Sequence, residues 1–106
     1  MIPETYIEID GKQYNLRFSA RTIINVEKKM GKPISTLSDV APSEISVDLL
    51  SIFFSEAIRD INGDKIQPEI IEEILDNIQI TDLSKYVEEG FNTAFPKETR
   101  EKKGKN

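Results

Sequence analysis

Apolar and polar residues alternate with two different periods along the chain, and the change of period separates its elements. From residue 5 to residue 18, apolar side chains occupy every second position, which is typical of strands buried on one face. From residue 20 onwards they recur at intervals of three and four, the spacing of amphipathic helices. The pattern predicts an α+β fold, mostly α, in which an N-terminal two-stranded antiparallel hairpin packs on about four helices.

The hairpin is predicted over residues 5–18 because Asp10-Gly11 separates its two alternating segments. These two residues fit the central positions of a type I′ turn, where both φ angles are positive. In that register, one face of the ribbon consists of apolar side chains, namely Ile7, Ile9, Tyr14, Leu16 and Phe18. A lone two-stranded ribbon is only marginally stable in water, so we expect helices to cover this face.

The strongest helical stripe predicts a central helix over residues 47–60. Ser46 precedes the stripe and suits an N-cap, and Asn62-Gly63 follows it with residues that tolerate the left-handed conformation at a helix end. The side expected to face the core consists of Val47, Leu50, Phe53, Phe54, Ala57, Ile58 and Ile61.

Three further helices are predicted near residues 20–30, 68–77 and 82–95. Gly90 lies inside the last of them, which indicates either that another backbone approaches closely there or that the helix is locally weak. The residues that bound these helices are two N-caps, a terminating glycine and an initial proline, namely Ser19, Thr81 or Asp82, Gly31 and Pro68.

Two segments lie outside the predicted elements. Residues 32–45 are rich in Ser and Pro with spaced apolar residues, so we expect a long packed connection that contains one short helical turn. Residues 96–106 include five basic residues and no apolar one, which predicts a disordered, flexible charged tail. Residues 1–95 are then expected to form a single globular domain.

The composition removes the residue types on which most catalytic and metal sites depend. The chain has no cysteine and no histidine. The paired carboxylates Glu72-Glu73 and Glu88-Glu89 are helix neighbours that point about 100° apart, so they do not converge on one substrate atom. The segment that begins at Asp60 lacks the glycine and the glutamate that a calcium loop needs at its sixth and twelfth positions. No enzyme activity, cofactor or metal is therefore expected.

Acidic residues are concentrated in the middle of the chain, where residues 33–95 contain thirteen acidic and three basic residues. This segment would repel a phosphate backbone, so no nucleic-acid partner is expected. The alternative is a small mobile-element regulatory domain in which the helices between Pro68 and Phe95 form a DNA-binding helix-turn-helix. Its second helix offers only Lys85 as a basic residue, whereas a groove-reading helix has to contact phosphates or guanines.

Two observations bear on localisation. No apolar run is long enough to span a bilayer. The first four residues, Met1 to Glu4, have neither the basic start nor the apolar region of a signal peptide. We therefore expect a cytosolic protein with no membrane partner.

The N-terminal third contains a more specific string of residues. Its hairpin, Ile7-Glu-Ile-Asp-Gly-Lys-Gln-Tyr-Asn-Leu-Arg-Phe-Ser-Ala20, runs into Ile24-Asn-Val-Glu-Lys-Lys-Met-Gly-Lys-Pro-Ile34. These residues resemble the short tail assembly chaperones of long non-contractile-tailed bacteriophages and prophages, in which a hairpin I-x-I-x-G-K-x-Y-x-L-R-F leads into a helix ϕ-x-x-ϕ-E-K-x-x-G-K-x-ϕ. The acidic, helical remainder is similar in character.

The resemblance implies a protein that binds the phage tape measure protein, keeps this long and aggregation-prone helical chain soluble, and helps to recruit tail tube subunits around it. It also implies self-association, residence in the host bacterial cytoplasm and absence from the mature virion. The matching residues include no catalytic signature.

Two apolar residues of the central helix do not lie on the side that is expected to face the core. Leu49 lies between Glu56 and Asp60 on the helical wheel, and Ile52 lies within the polar side. An acidic domain with a few apolar residues on a helix can cover an apolar stripe of a partner while its charge keeps the complex soluble. Leu49, Ile52 and Glu56 are therefore the candidate partner-binding residues. The alternative is that the 32–45 connection covers Leu49 and Ile52 within the fold.

Overall fold

The protein folds into a small antiparallel sheet packed against helices, in a computed structural model that describes residues 4–37 and 44–94. This is the α+β, mostly α arrangement that the sequence predicts. The predicted tail, residues 96–106, lies outside the described residues. The elements of the described part follow in the order β1 (Glu4–Ile9), β2 (Lys12–Arg17), α1 (Ala20–Met30), a 3₁₀ turn (Ile34–Leu37), α2 (Val47–Ala57), β3 (Ile58–Asp60), α3 (Pro68–Asn77) and α4 (Ile80–Ala94).

The turn between β1 and β2 has the conformation predicted for it. Asp10 and Gly11 have φ angles of 51° and 79°, and both positive values are what a type I′ turn requires. The register pairs Ile7 with Tyr14, so the apolar side chains of the two strands share one face. Ile7, Tyr14, Leu16 and Phe18 are buried in the core and Ile9 is half-buried against it.

A third strand was not predicted, because the central helix was expected to continue to residue 60. Helix α2 ends at Ala57, and Ile58 turns to an extended conformation with φ −69° and ψ 134°. Ile58 pairs with Leu16 of β2, and both side chains are at most 1% exposed. The hairpin is therefore one part of a three-stranded sheet of order β1-β2-β3. An apolar residue at position 58 is compatible with a helix that continues α2 and also with a strand. Pairing with Leu16 of β2 favours the strand.

Gly63 serves a turn and not the end of the central helix. Its φ of 89° lies in a turn in which the Gly63 N–H donates to the Asp60 carbonyl over 2.9 Å. The Asp60 carboxylate accepts from the N–H groups of Asn62 and Asp64, at 2.8 and 3.0 Å. This turn returns the chain after β3, so Asn62-Gly63 was wrongly assigned as a helix end.

Apart from the end of α2, the helix boundaries set by local signals agree with the prediction, with one exception at the start of α4. Ser19 and Ser46 accept from main-chain N–H groups in the first turns of α1 and α2, and Gly31 ends α1 with φ 78°. Helix α4 begins at Ile80, so the predicted N-caps Thr81 and Asp82 already lie inside it. The main-chain carbonyl of the preceding Gln79 accepts from Asp82 and Leu83 over 3.0 Å each, and this starts the helix without a side-chain cap.

The core lies between the sheet and α1, α2 and α4. Phe53 and Phe54 of α2 are among its most buried large side chains, and the Phe53 ring lies 6.3 Å from that of Phe18, measured between ring centroids. Two residues assigned to the core side are exposed, because Val47 is the first residue of α2 and Ile61 follows β3. Within the described residues, no helix combines the length and apolarity needed to cross a bilayer.

Candidate functional site

The three residues chosen from the sequence, Leu49, Ile52 and Glu56, form one side of α2, which we call the α2 stripe. Leu49 and Ile52 are half-buried and pack against the core. The Glu56 carboxylate lies 2.6 Å from Lys29 Nζ of α1, and its side chain is 17% exposed. The structure therefore brings the three residues together, and contacts within the chain engage each of them. Their role in binding a partner stays a prediction.

A second surface lies between the hairpin turn and α3, which we call the hairpin–α3 groove. It consists of two adjoining hollows of about 340 Å³ and 200 Å³. They have Ile9, Asp10, Ile74 and Asn77 as common lining residues and so lie side by side between the hairpin turn and α3. The first hollow extends towards α4 and the second towards Lys12 and Ile70 at the other end.

The groove exists because α3 buries only part of its apolar surface. Ile74 is the buried residue of this helix at 8% exposure, whereas Ile70 one turn earlier is 40% exposed. Ile78, one turn later, is half-buried. From the hairpin, half-buried Ile9 and buried Tyr14 complete the apolar lining. The apolar part of the lining therefore comes from side chains on two elements, and polar side chains, among them Asn77 and Gln79, share the lining with them.

The rim of the groove is acidic. Exposed Glu8, Asp10, Glu73 and Asp82 line it, against the single exposed cation Lys12 among the lining residues. Helix α3 also ends at this rim with no basic residue in its last turn, so the negative end of its dipole is uncompensated by the helix itself. The local potential is therefore negative.

Tyr86 lines the groove close to these acidic residues. Burial raises the pKa of the Tyr86 phenol above its ordinary value, and the neighbouring charges of Asp82, Glu89 and Glu8 raise it further. The neutral hydroxyl donates to the Glu8 carbonyl over 3.2 Å, which joins α4 to β1. Tyr86 is therefore a neutral hydrogen-bond donor with acidic side chains around it.

Polar side chains of the sheet form some hydrogen bonds within the chain, whereas Asn15 Oδ1 and Arg17 Nε are buried without a hydrogen-bond partner among the described residues. Asn15 is 1% exposed, and its amide donates to the Glu4 carboxylate over 2.5 Å. Arg59 donates to the carbonyls of Glu56 and Ile58 at 2.9 and 2.8 Å. Its pKa is lowered by burial and by repulsion from Arg17, and partly restored by Glu56. Arg59 thus holds the junction between α2 and β3.

The described residues contain no cluster of side chains that could hold a metal ion. Across residues 4–37 and 44–94, no three acidic side chains lie close enough to hold a metal ion. The carboxylate of Asp60, where the sequence only superficially suggests a calcium loop, accepts the hydrogen bonds of its own turn.

Sequence reasoning missed the groove because it depends on how α3 is placed against the hairpin. One signal was available, since α3 has apolar residues at Ile70, Ile71, Ile74 and Leu75 within ten residues, more than one narrow stripe requires. Comparison of the chain with known protein families, with curated proteins and with solved structures found no match in any of the three.

Proposed function

We propose that the protein is a tail assembly chaperone of a long non-contractile-tailed bacteriophage or prophage. In this role it binds the tape measure protein, keeps it soluble and helps to recruit tail tube subunits. The observation that supports this identity is the string of residues 7–34, in which the hairpin and the helix after it resemble that family. The protein would act in the host bacterial cytoplasm, associate with itself and leave before the virion matures.

The surface chemistry supports a chaperone that acts by masking. A long helical protein exposes apolar stripes before it assembles, and such stripes aggregate. A partly apolar groove with an acidic rim can cover part of a stripe, while a net charge of −5 keeps the complex soluble. No covalent step is required, and the masked stripe is released when tube subunits compete for it.

The test is co-expression with the product of the neighbouring gene. We expect a tail tube gene upstream and a very long helical coding sequence downstream. The long helical protein should be soluble and co-purify when the two chains are made together, and should sediment when it is made alone. An equal amount of soluble partner with and without the chain would refute masking.

A duplex-DNA binding assay at physiological salt separates this proposal from the regulatory alternative. Among the described residues of α4, Lys85 is the only basic side chain, against Asp82, Glu88 and Glu89. We therefore expect only weak, salt-sensitive association. Tight binding at physiological salt would overturn the chaperone proposal in favour of a DNA-binding regulator.

A further inference from the structure

We propose that the hairpin–α3 groove binds one amphipathic helix whose apolar stripe is flanked by lysine and arginine. This rests on the proposed function and names the surface and the partner chemistry that would perform it. The occupant is a segment of the partner protein, and the argument depends on the length of the groove, its apolar lining residues and its charge.

The length of the groove suits a short stretch of helix. Along α3 the lining residues run from Ile70 to Ile78, which at 1.5 Å per residue is about 12 Å, or roughly two helical turns. An amphipathic helix that lies along it would present apolar residues at positions i, i+3 or i+4, and i+7. The two hollows, of about 340 and 200 Å³, give such residues separate places to enter.

The partly exposed isoleucines of the groove provide the apolar contacts for such a helix. Ile70 is 40% exposed and Ile9 and Ile78 are half-buried, so each has side-chain surface still to be covered. The hydrophobic effect favours removing this surface from water. A highly charged chain without apolar anchors would leave it uncovered, and so would a nucleic acid, which the acidic rim also repels.

The acidic rim favours a bound helix that has basic residues on either side of its apolar stripe. Four acidic side chains, Glu8, Asp10, Glu73 and Asp82, line the groove and Lys12 alone opposes them among the lining residues. Tyr86 also lines the groove, and its pKa is raised first by burial and then by the charges of Asp82, Glu89 and Glu8. A helix flanked by acidic residues would meet like charge, whereas lysine or arginine flanks would meet opposite charge and the negative end of α3.

The probe is a pair of labelled synthetic peptides of about 15 residues with leucines at helical spacing. One peptide has lysines beside the leucine stripe and the other has glutamates in the same places. Binding to the full chain is followed by fluorescence anisotropy. We expect the lysine peptide to bind at least about tenfold more tightly, with the difference shrinking as salt rises. Equal binding of the two peptides would overturn the charge argument.

Matched neutral variants locate the contact. Glu73→Gln with Asp82→Asn removes two rim charges, and Glu72→Gln with Glu88→Gln removes two exposed charges from the same helices outside the groove. The rim variant should weaken binding of the lysine peptide about three- to tenfold, and the control by less than about twofold. Equal losses in both variants would show a general charge effect and exclude the groove.

Matched apolar variants test the apolar lining residues without touching the core. Ile70 lines the groove and is 40% exposed, and Ile24 lies on α1 outside the groove and is 39% exposed. Ile70→Gln should weaken peptide binding severalfold, while Ile24→Gln should not. Thermal unfolding of each variant confirms that it remains folded. A second copy of the chain is the other possible occupant of the groove. In that case Ile70→Gln would change the sedimentation of the free protein, and the peptide would bind only to the dissociated form. This result would overturn the proposal.

The two proposals fail in different ways. If the groove variants bind the peptide as well as the wild type does, while the wild type keeps the long helical protein soluble, the groove proposal fails and the chaperone function stands. If the peptides behave as expected but the long protein is not kept soluble, the groove stands and the proposed function fails.

Discussion

The ring of Phe18 lies directly over Gly90 of α4 and fills the space that a side chain would need. A Cβ built on Gly90 would overlap Phe18 Cε2 and lie 3.0 Å from Cζ. The sequence predicted either the close approach of another backbone or a weak helix at Gly90; a close approach exists, but a side chain and not a backbone makes it. The close approach is made by a side chain from the end of β2, and α4 continues through it to Ala94.

Replacing Gly90 with Ala should lower the free energy of unfolding by up to about 2 kcal/mol, as measured by urea denaturation. Helix propensity alone favours Ala by about 1 kcal/mol, but displacing a packed ring costs about 1–3 kcal/mol. The control is the same change in a Phe18→Leu background, where the ring is gone and Ala should be tolerated. A wild-type background stabilised by Gly90→Ala would contradict the packing described here.

The start of α2, which has a side-chain cap, and the start of α4, where Thr81 lies inside the helix, predict different effects of mutation. Ser46 accepts from the Leu49 N–H over 3.1 Å, so Ser46→Ala should cost about 1 kcal/mol of stability. Thr81 lies inside α4 and is exposed, so Thr81→Ala should change stability by no more than about 0.5 kcal/mol. Thermal unfolding of the two variants side by side checks this, and a cost at Thr81 as large as at Ser46 would restore the boundary predicted from the sequence.

Local chemistry explains what the sequence could predict. The turn at Asp10-Gly11 and the caps Ser19, Ser46 and Gly31 each depend on residues next to one another, so their signals are complete within a few positions. Pro68 likewise begins α3 at the predicted residue. These elements agree with the structure because no distant contact competes with them.

The features that the sequence could not predict depend on contacts between residues far apart in the chain. Ile58 belongs to a strand because Leu16, more than forty positions away in the chain, lies opposite it. The hairpin–α3 groove depends on the distance left between two elements, which no periodicity encodes. The α2 stripe was chosen because Leu49 and Ile52 did not fit the core side, and their packing depends on neighbours that a helical wheel of α2 omits.

The pair Lys29–Glu56 should contribute a small, salt-dependent stabilisation. Their charged atoms lie 2.6 Å apart, but the Lys29 side chain is 56% exposed, so solvent screens the attraction. A double-mutant cycle with Lys29→Met and Glu56→Gln should give a coupling of about 0.2–1 kcal/mol that decreases at high salt. A coupling of zero, with partner binding lost in Glu56→Gln, would instead assign Glu56 to the interface predicted from the sequence.

Ile52→Asp should separate a structural role of the α2 stripe from a binding role. Ile52 is half-buried against the core, so an aspartate there should lower the free energy of unfolding by about 1–3 kcal/mol, while binding per folded molecule stays unchanged. The matched change Val47→Asp, at an exposed first-turn position of α2, should be neutral or slightly stabilising. A fully stable Ile52→Asp variant that no longer binds itself or its partner would establish the stripe as an interface.

Tyr86 should titrate above the ordinary tyrosine pKa of about 10, in the direction set by burial and by Asp82, Glu89 and Glu8. Because its folded pKa is raised, its contribution to stability is complete below pH of about 10 and is lost as the pH rises through the folded value. Phenolate absorbance of the wild type minus that of Tyr86→Phe isolates this group from the other two tyrosines. Adding a version of the peptide with arginines in place of the lysines, which stays cationic at that pH, should lower the Tyr86 pKa, since cations in the groove offset the acidic neighbours. A Tyr86 pKa unmoved by bound peptide would place that peptide elsewhere on the protein.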